Sequence, residues 1–193
     1  MSQTGRRRRQ SSRARRGLAA GALAAALLGA PAAARVHLTT DEALALAFPG
    51  CEVERGTVYL TPEQRARARE LAGEAPAAPI VHPYRATCAG LPGGVAYFDV
   101  HTVRTLPEAL MVVVDPQGRV ERVEVLSFSE PEDYLPRAPF YEQFEGRALD
   151  AELALRRGVR SVAGATLTAR STTAAVRRVL ALHRVLAEAV KAP

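Results

Sequence analysis

Two changes of hydrophobic period between residues 93 and 128 leave an antiparallel sheet as the framework of this chain. From Gly93 to Thr102 the residues alternate, with Val95, Tyr97, Asp99 and His101 on one face and Ala96, Phe98 and Val100 on the other. A strand turns successive side chains to opposite faces, so the pattern predicts a strand. Ala109–Val114 is a continuous apolar strand. Asp115-Pro116-Gln117-Gly118 reads as a turn with Pro at its second position, and alternation resumes from Arg119 to Phe128 with Val120, Val123 and Val125 inward. Together these segments predict a β-meander. Val176, Val179, Leu180, His183, Leu186 and Val190 then fall at helical spacing, which predicts a long C-terminal helix. Strands followed by flanking helices give an α+β fold.

The rest of the chain reads in shorter pieces. Asp41–Phe48 is expected as a helix capped by Thr39 or Thr40 and stopped by Pro49-Gly50, and Thr57–Leu60 as a short strand. Thr61-Pro62-Glu63-Gln64 starts a second helix: Thr61 caps, Pro62 suits the first position, and Gln64 completes a capping box. That helix runs to Leu71 and ends at Gly73; residues 74–79 form an Ala/Pro linker. The expected division is therefore an N-terminal segment 1–34, a helical lobe and linker 35–78, and a main domain 79–193. Ile80–Thr87 reads as a strand interrupted by Pro83, Ser129–Pro136 as a polar loop, and Pro139–Phe144 as a short helix.

The net charge of +6 is concentrated at the start of the chain. Seven arginines precede Gly17, Arg35 adds an eighth, and without these the net charge is −2. No basic face for nucleic acid is expected. The basic run, the uncharged apolar stretch Gly17–Ala30 and Pro31-Ala32-Ala33-Ala34 have the layout of a secretory signal peptide cleaved after Ala34. An uncleaved N-terminal membrane anchor is the other reading. Either places the domain outside the cytoplasm or in the periplasm. Cys51 and Cys88 are then candidates for a disulfide, which stabilises by about 3–4 kcal/mol for a loop of this length, or else for two separate buried thiols.

The chemistry is carried by Ser161-Val162-Ala163-Gly164-Ala165-Thr166-Leu167-Thr168-Ala169-Arg170, directly before the long helix. A helix N-terminus offers unpaired N–H groups and a partial positive charge, and so attracts phosphate. Gly164 lets backbone approach a ligand, Ala165 keeps the spot uncrowded, and Thr166 and Thr168 offer hydroxyls. The plain alternative is a glycine turn and a threonine cap with nothing bound. His101 reads as a satisfied surface histidine and His183 as part of the buried stripe; no metal site is expected.

Ala163-Gly164-Ala165-Thr166 resembles the Ser/Thr-Gly-Ala-Thr motif of the FMN-binding domain family, which includes the C subunit of the sodium-pumping NADH:quinone reductase and the G subunit of the Rnf complex. Met111–Glu130, ending in Ser-Phe-Ser-Glu-Pro, is similar to that family's core hairpin and Glu-bearing loop. Phe140-Tyr141-Glu142-Gln143-Phe144-Glu145-Gly146 is similar to its Phe-x-x-Gln-Phe-x-Gly helix. The resemblance runs from about Gly93 to Leu186 and leaves out residues 36–78. It implies FMN as cofactor, joined through its phosphate to Thr166 by an extracytoplasmic FMN transferase that uses FAD. Ala163, Gly164, Ala165, Leu167 and Thr168 would line the phosphate end, with Glu130 near the flavin. Tyr97, Leu110, Phe128 and Tyr134 are candidates for an apolar slot around the ring. Two positions depart from the pattern: Ala163 replaces Ser or Thr, and Arg160 replaces an Asp, where the arginine could instead pair with phosphate.

Two functions of different class follow. One is an electron carrier working with a membrane or periplasmic redox partner. The other is a non-catalytic binding or sensory module on the same fold. A self-contained flavin reductase is disfavoured by length and by the lack of a nicotinamide fingerprint.

Overall fold

The computed structural model describes residues 35–76 and 78–191; the predicted signal peptide or anchor lies outside the described residues. Eight strands and four α-helices follow in the order β1 (Arg35–Val36), α1 (Thr40–Ala47), β2 (Glu52–Arg55), β3 (Val58–Tyr59), α2 (Pro62–Ala72), β4 (Ile80–Val81), β5 (Tyr84–Cys88), β6 (Leu91–Thr102), β7 (Pro107–Val114), β8 (Val120–Phe128), α3 (Ala138–Tyr141) and α4 (Thr166–Lys191). Single 3₁₀ turns occupy Glu132–Tyr134 and Glu142–Phe144. A six-stranded antiparallel sheet runs β1-β8-β7-β6-β5-β2, and β3 pairs with β4 in a separate two-stranded ladder. The fold is α+β with an antiparallel meander at its centre and a long C-terminal helix, as the periodicity predicted.

The sheet is covered on both faces, which explains the unbroken apolar run of β7. Leu110, Val112 and Val114 face α4, α2 and α3 with Tyr97, Val120, Val123, Phe140, Phe144, Val176 and Leu180. Met111 and Val113 face the other way, onto Ala43 and Leu44 of α1 and Phe48 at its end, with Ala86, Ala96 and Leu126. Burying each such side chain is worth about 1.5–3 kcal/mol. Val120 and Val123 share one face despite their odd spacing because the register slips between Val113 and Val114, opposite the extra residue Glu121. Pro83 splits the stretch expected as one strand into β4 and β5, since Pro cannot donate to a ladder.

The expected capping box of Thr61 with Gln64 forms on α2; on α1 the cap is Thr39 rather than Thr40, and Glu42 completes a second box there. The expected N-terminal lobe does not stand apart. Its β1 pairs with β8, its β2 pairs with β5, and Ala68 and Ala72 of α2 belong to the main core. The physical reason is that the sheet needs edge strands and α4 needs a neighbour along its length. Cys51 and Cys88 are disulfide-bonded, with Cα atoms 4.4 Å apart, and pin the β2 edge to β5. On α4 the apolar stripe ends early, because Val190 is 84% exposed beyond the last packed turn. Among the described residues, no helix is long and apolar enough to cross a membrane.

Candidate functional site at the start of the closing helix

The loop before α4 is shaped by one turn. Ala165 N–H donates to the Val162 carbonyl at 3.2 Å, closing residues 162–165, and Gly164 at the third position has φ +82°. A type II turn needs positive φ there, which glycine adopts without strain. No atom lies within 4 Å of where a Cβ would stand on Gly164, so the turn faces open space. The Thr166 hydroxyl donates to the same Val162 carbonyl at 3.3 Å, and the residue is exposed. Ala169 N–H closes the first helical turn onto Ala165. The N–H groups of Thr166, Leu167 and Thr168 have no acceptor among the described residues, as at any uncapped helix start.

The two threonines part company here. Thr168 is buried and its hydroxyl donates to the Tyr134 carbonyl at 2.6 Å. That hydroxyl ties the 132–134 turn to α4 and is not free for a ligand, against the expectation from sequence. Ala163, Gly164, Thr166 and Leu167 are exposed around the turn, while Ala165 is buried beneath it.

Glu130 also has a task the sequence did not show. Its Oε1 accepts from the N–H groups of Arg104, Thr105 and Leu106, at 3.2, 2.7 and 2.9 Å, and from the Thr105 hydroxyl at 3.3 Å. These bonds, led by that of Thr105 N–H, hold its carboxyl below the usual carboxylate range. The side chain thus organises the β6–β7 turn, where Arg104 also lies over the Tyr134 ring at 4.7 Å. Of the four candidates for a ring slot, Tyr97, Leu110 and Phe128 are buried in the fold. Only Tyr134, half-buried and joined to Thr168, stays near the loop.

Gln143 explains the Phe-x-x-Gln-Phe-x-Gly stretch. Phe140 and Phe144 are buried and meet edge to face at 5.4 Å. Between them Gln143 Oε1 accepts from Arg160 N–H at 2.9 Å, and its Nε2 donates to the Arg160 and Phe140 carbonyls at 3.4 and 3.3 Å. The clamp fixes the chain just ahead of the Gly164 turn. Arg160 itself leans on Gln143, its Nε 3.4 Å from Oε1.

Beside Thr166 opens a cavity of about 480 Å³ lined by Arg156, Ser161, Thr166, Arg170, Thr173 and Arg177, with Glu74 at its edge. Arg170 lies one turn beyond Thr166 on the same helix face, a spacing visible in the sequence. Arg156 carries no such local signal. A second feature the sequence concealed is a buried ionic chain on the α4 side of the sheet. His101 Nδ1 is 2.9 Å from Asp99 Oδ1 and its Nε2 is 2.9 Å from Glu108 Oε2. Arg178 binds Asp99 and Glu74, and Thr172 donates to Glu108 at 3.2 Å. Burial works against the charged imidazole, but bonds to Asp99 and Glu108 raise His101 to about 9. His101 is therefore held between two carboxylates with its ring largely covered, and is not the surface histidine expected, because the face it shares with Tyr97 turns inward. His183 is half-buried against Tyr97, its Nδ1 3.1 Å from the hydroxyl, and burial holds it below the usual histidine range.

Fold and site together define an α+β protein with an anion-receptive turn opening its closing helix and a cationic cavity beside it. The FMN-binding domain family model matches residues 107–181, which contain β7, β8, the Gln143 clamp, the Gly164 turn and the first four turns of α4. Residues 107–181 thus carry an FMN-binding domain, and FMN is the cofactor it indicates. The match covers less than half of the chain; no curated relative and no solved structure matches. The residues present fit a phosphate ester: an exposed hydroxyl, unpaired N–H groups, open space over Gly164 and arginines in the adjoining cavity.

Proposed function

We propose that this FMN-binding protein is an exported electron carrier whose FMN is joined through its phosphate to Thr166. The observation that carries the reading is the Thr166 hydroxyl, exposed at the mouth of a cationic cavity and on the first turn of α4. In the joining step a partner transferase presents FAD. The Thr166 oxygen bonds to the phosphorus on the flavin side, the pyrophosphate P–O bond breaks, AMP leaves, and the hydroxyl proton goes to a base of the transferase. Bound FMN supplies one- and two-electron transfer. The chain's own part is to hold: the Gly164 turn sets the attachment point, the Gln143 clamp fixes the approach to it, and the helix start lowers the energy of the anion.

A tether of this kind suits a protein outside the cytoplasm, where a released cofactor is lost. The signal-like N-terminus and the Cys51–Cys88 disulfide support that location. Electrons then pass to and from a membrane or periplasmic redox partner. Protein made with the transferase should keep flavin fluorescence through denaturing electrophoresis, and Thr166→Val should abolish it. A second reading, a binding or sensory module without turnover, is favoured by Ala163 and Arg160, which depart from the family's motif. A stable fold that stays free of flavin after co-expression with the transferase would support it.

A further inference from the structure

We propose that Arg156 and Arg170 form a clamp that binds the phosphate of FMN without any covalent bond, so that this chain prefers FMN to riboflavin even when residue 166 has no hydroxyl. The proposal rests on the FMN reading of the site and concerns residues outside the attachment motif's Gly-Ala-Thr.

Three guanidinium groups and one carboxylate line the cavity beside Thr166. Two of the four are already engaged. Arg177 donates to the carbonyls of Leu71, Ala72, Asp150 and Leu153, and so stitches α2 and the 150–153 segment to α4. Glu74 is paired with Arg178. Arg156 and Arg170 have no side-chain partner among the described residues, and both are exposed on the same concavity. From residue 36 onward the chain carries a net charge of −2, so this local excess of positive charge runs against the balance of the whole. Two like charges facing one cavity repel each other, and a bound anion relieves the repulsion.

The clamp is built in advance of its ligand. Arg156 stands on a knot of main-chain bonds: Arg156 N–H to Val159 O at 2.9 Å, Gly158 N–H to Glu152 O at 2.9 Å, and Val159 N–H to Ala154 O at 3.1 Å. Arg147 adds a bond to the Glu152 carbonyl at 3.1 Å. Gly158 is required there, because a Cβ would come within 2.5 Å of the Glu152 carbonyl. Arg156 itself is held at φ +62°. Arg170 stands on the rigid first turns of α4. A phosphate monoester carries about 1.5–2 negative charges at neutral pH, which two arginines match. Their planar forks bind phosphate oxygens in pairs, as a lysine cannot.

The test uses the full chain with Thr166→Val, which removes attachment, titrated with FMN and with riboflavin by quenching of flavin fluorescence. FMN should bind about tenfold or more tightly than riboflavin, inorganic phosphate should compete, and added salt should narrow the gap. Arg156→Gln with Arg170→Gln should erase the preference and leave riboflavin binding as it was. Equal affinity for the two flavins, no binding of either, or a preference that survives the double substitution would overturn the clamp. A covalent adduct on the unsubstituted protein in any of those cases would leave the attachment reading standing.

Discussion

Gln143 sits far from Thr166 in sequence, yet its amide makes the bonds that hold residue 160 in place. Gln143→Leu keeps the bulk and removes those bonds, leaving the Arg160 main chain without its partner. A loss of about 1–3 kcal/mol is expected. Hydrogen exchange should speed up at residues 160–165 and not in β7. His101 gives a pH dependence whose sign is fixed. Its folded value of about 9 lies above its ordinary 6.5, so its contribution is complete below pH 6.5 and is lost as pH rises through 9. Solvent screening leaves on the order of 2 kcal/mol. The groups facing it are Asp99 and Glu108, with Arg178 beyond Asp99 and Tyr141 beyond Glu108. Thermal unfolding between pH 6 and 9.5 should show a falling midpoint, with a visibly smaller fall in His101→Gln. His101 was misread from sequence because strand alternation shows which residues share a face but not which face the helices cover.

At the scale of elements, local signals were legible and long-range ones were not. The caps at Thr39 and Thr61 form where their sequence places them, since a cap needs only residues three apart. The β7 run and the α4 stripe were equally plain. β1 and β2 were not, being short strands whose edges are set by partners far along the chain: Val36 opposite Ser127, and Glu52 opposite Thr87. Every residue of β2 is exposed, so no alternation marked it. The disulfide compensates for this weak edge. Reducing it, or Cys88→Ser with Cys51→Ser, should cost about 3–4 kcal/mol and lower the unfolding midpoint by several degrees. Leu110→Ala, at the centre of the doubly covered strand, should cost about 2–5 kcal/mol in denaturant unfolding. Val190→Ala on the exposed end of α4 should change stability by no more than about 0.5 kcal/mol.

For the molecule as a whole, one helix joins the fold to the site. The same α4 that closes the core through Val176, Val179 and Leu180 begins at Thr166, so packing deep in the protein sets where the attachment point lies. The Gly-Ala-Thr turn was legible because its chemistry is written in adjacent residues. The arginine pair was not, since Arg156 reaches the cavity only through the knot at 152–159. A phosphoester on Thr166 can be assayed directly in this chain. Trypsin cuts after Arg160 and Arg170, releasing Ser161–Arg170 with Thr166 and Thr168 inside it. Mass spectrometry of that peptide from protein made in its native host should show a gain equal to FMN less one water, with fragmentation placing it on Thr166. An unmodified peptide, or a flavin mapped to Thr168, would rule out attachment at Thr166.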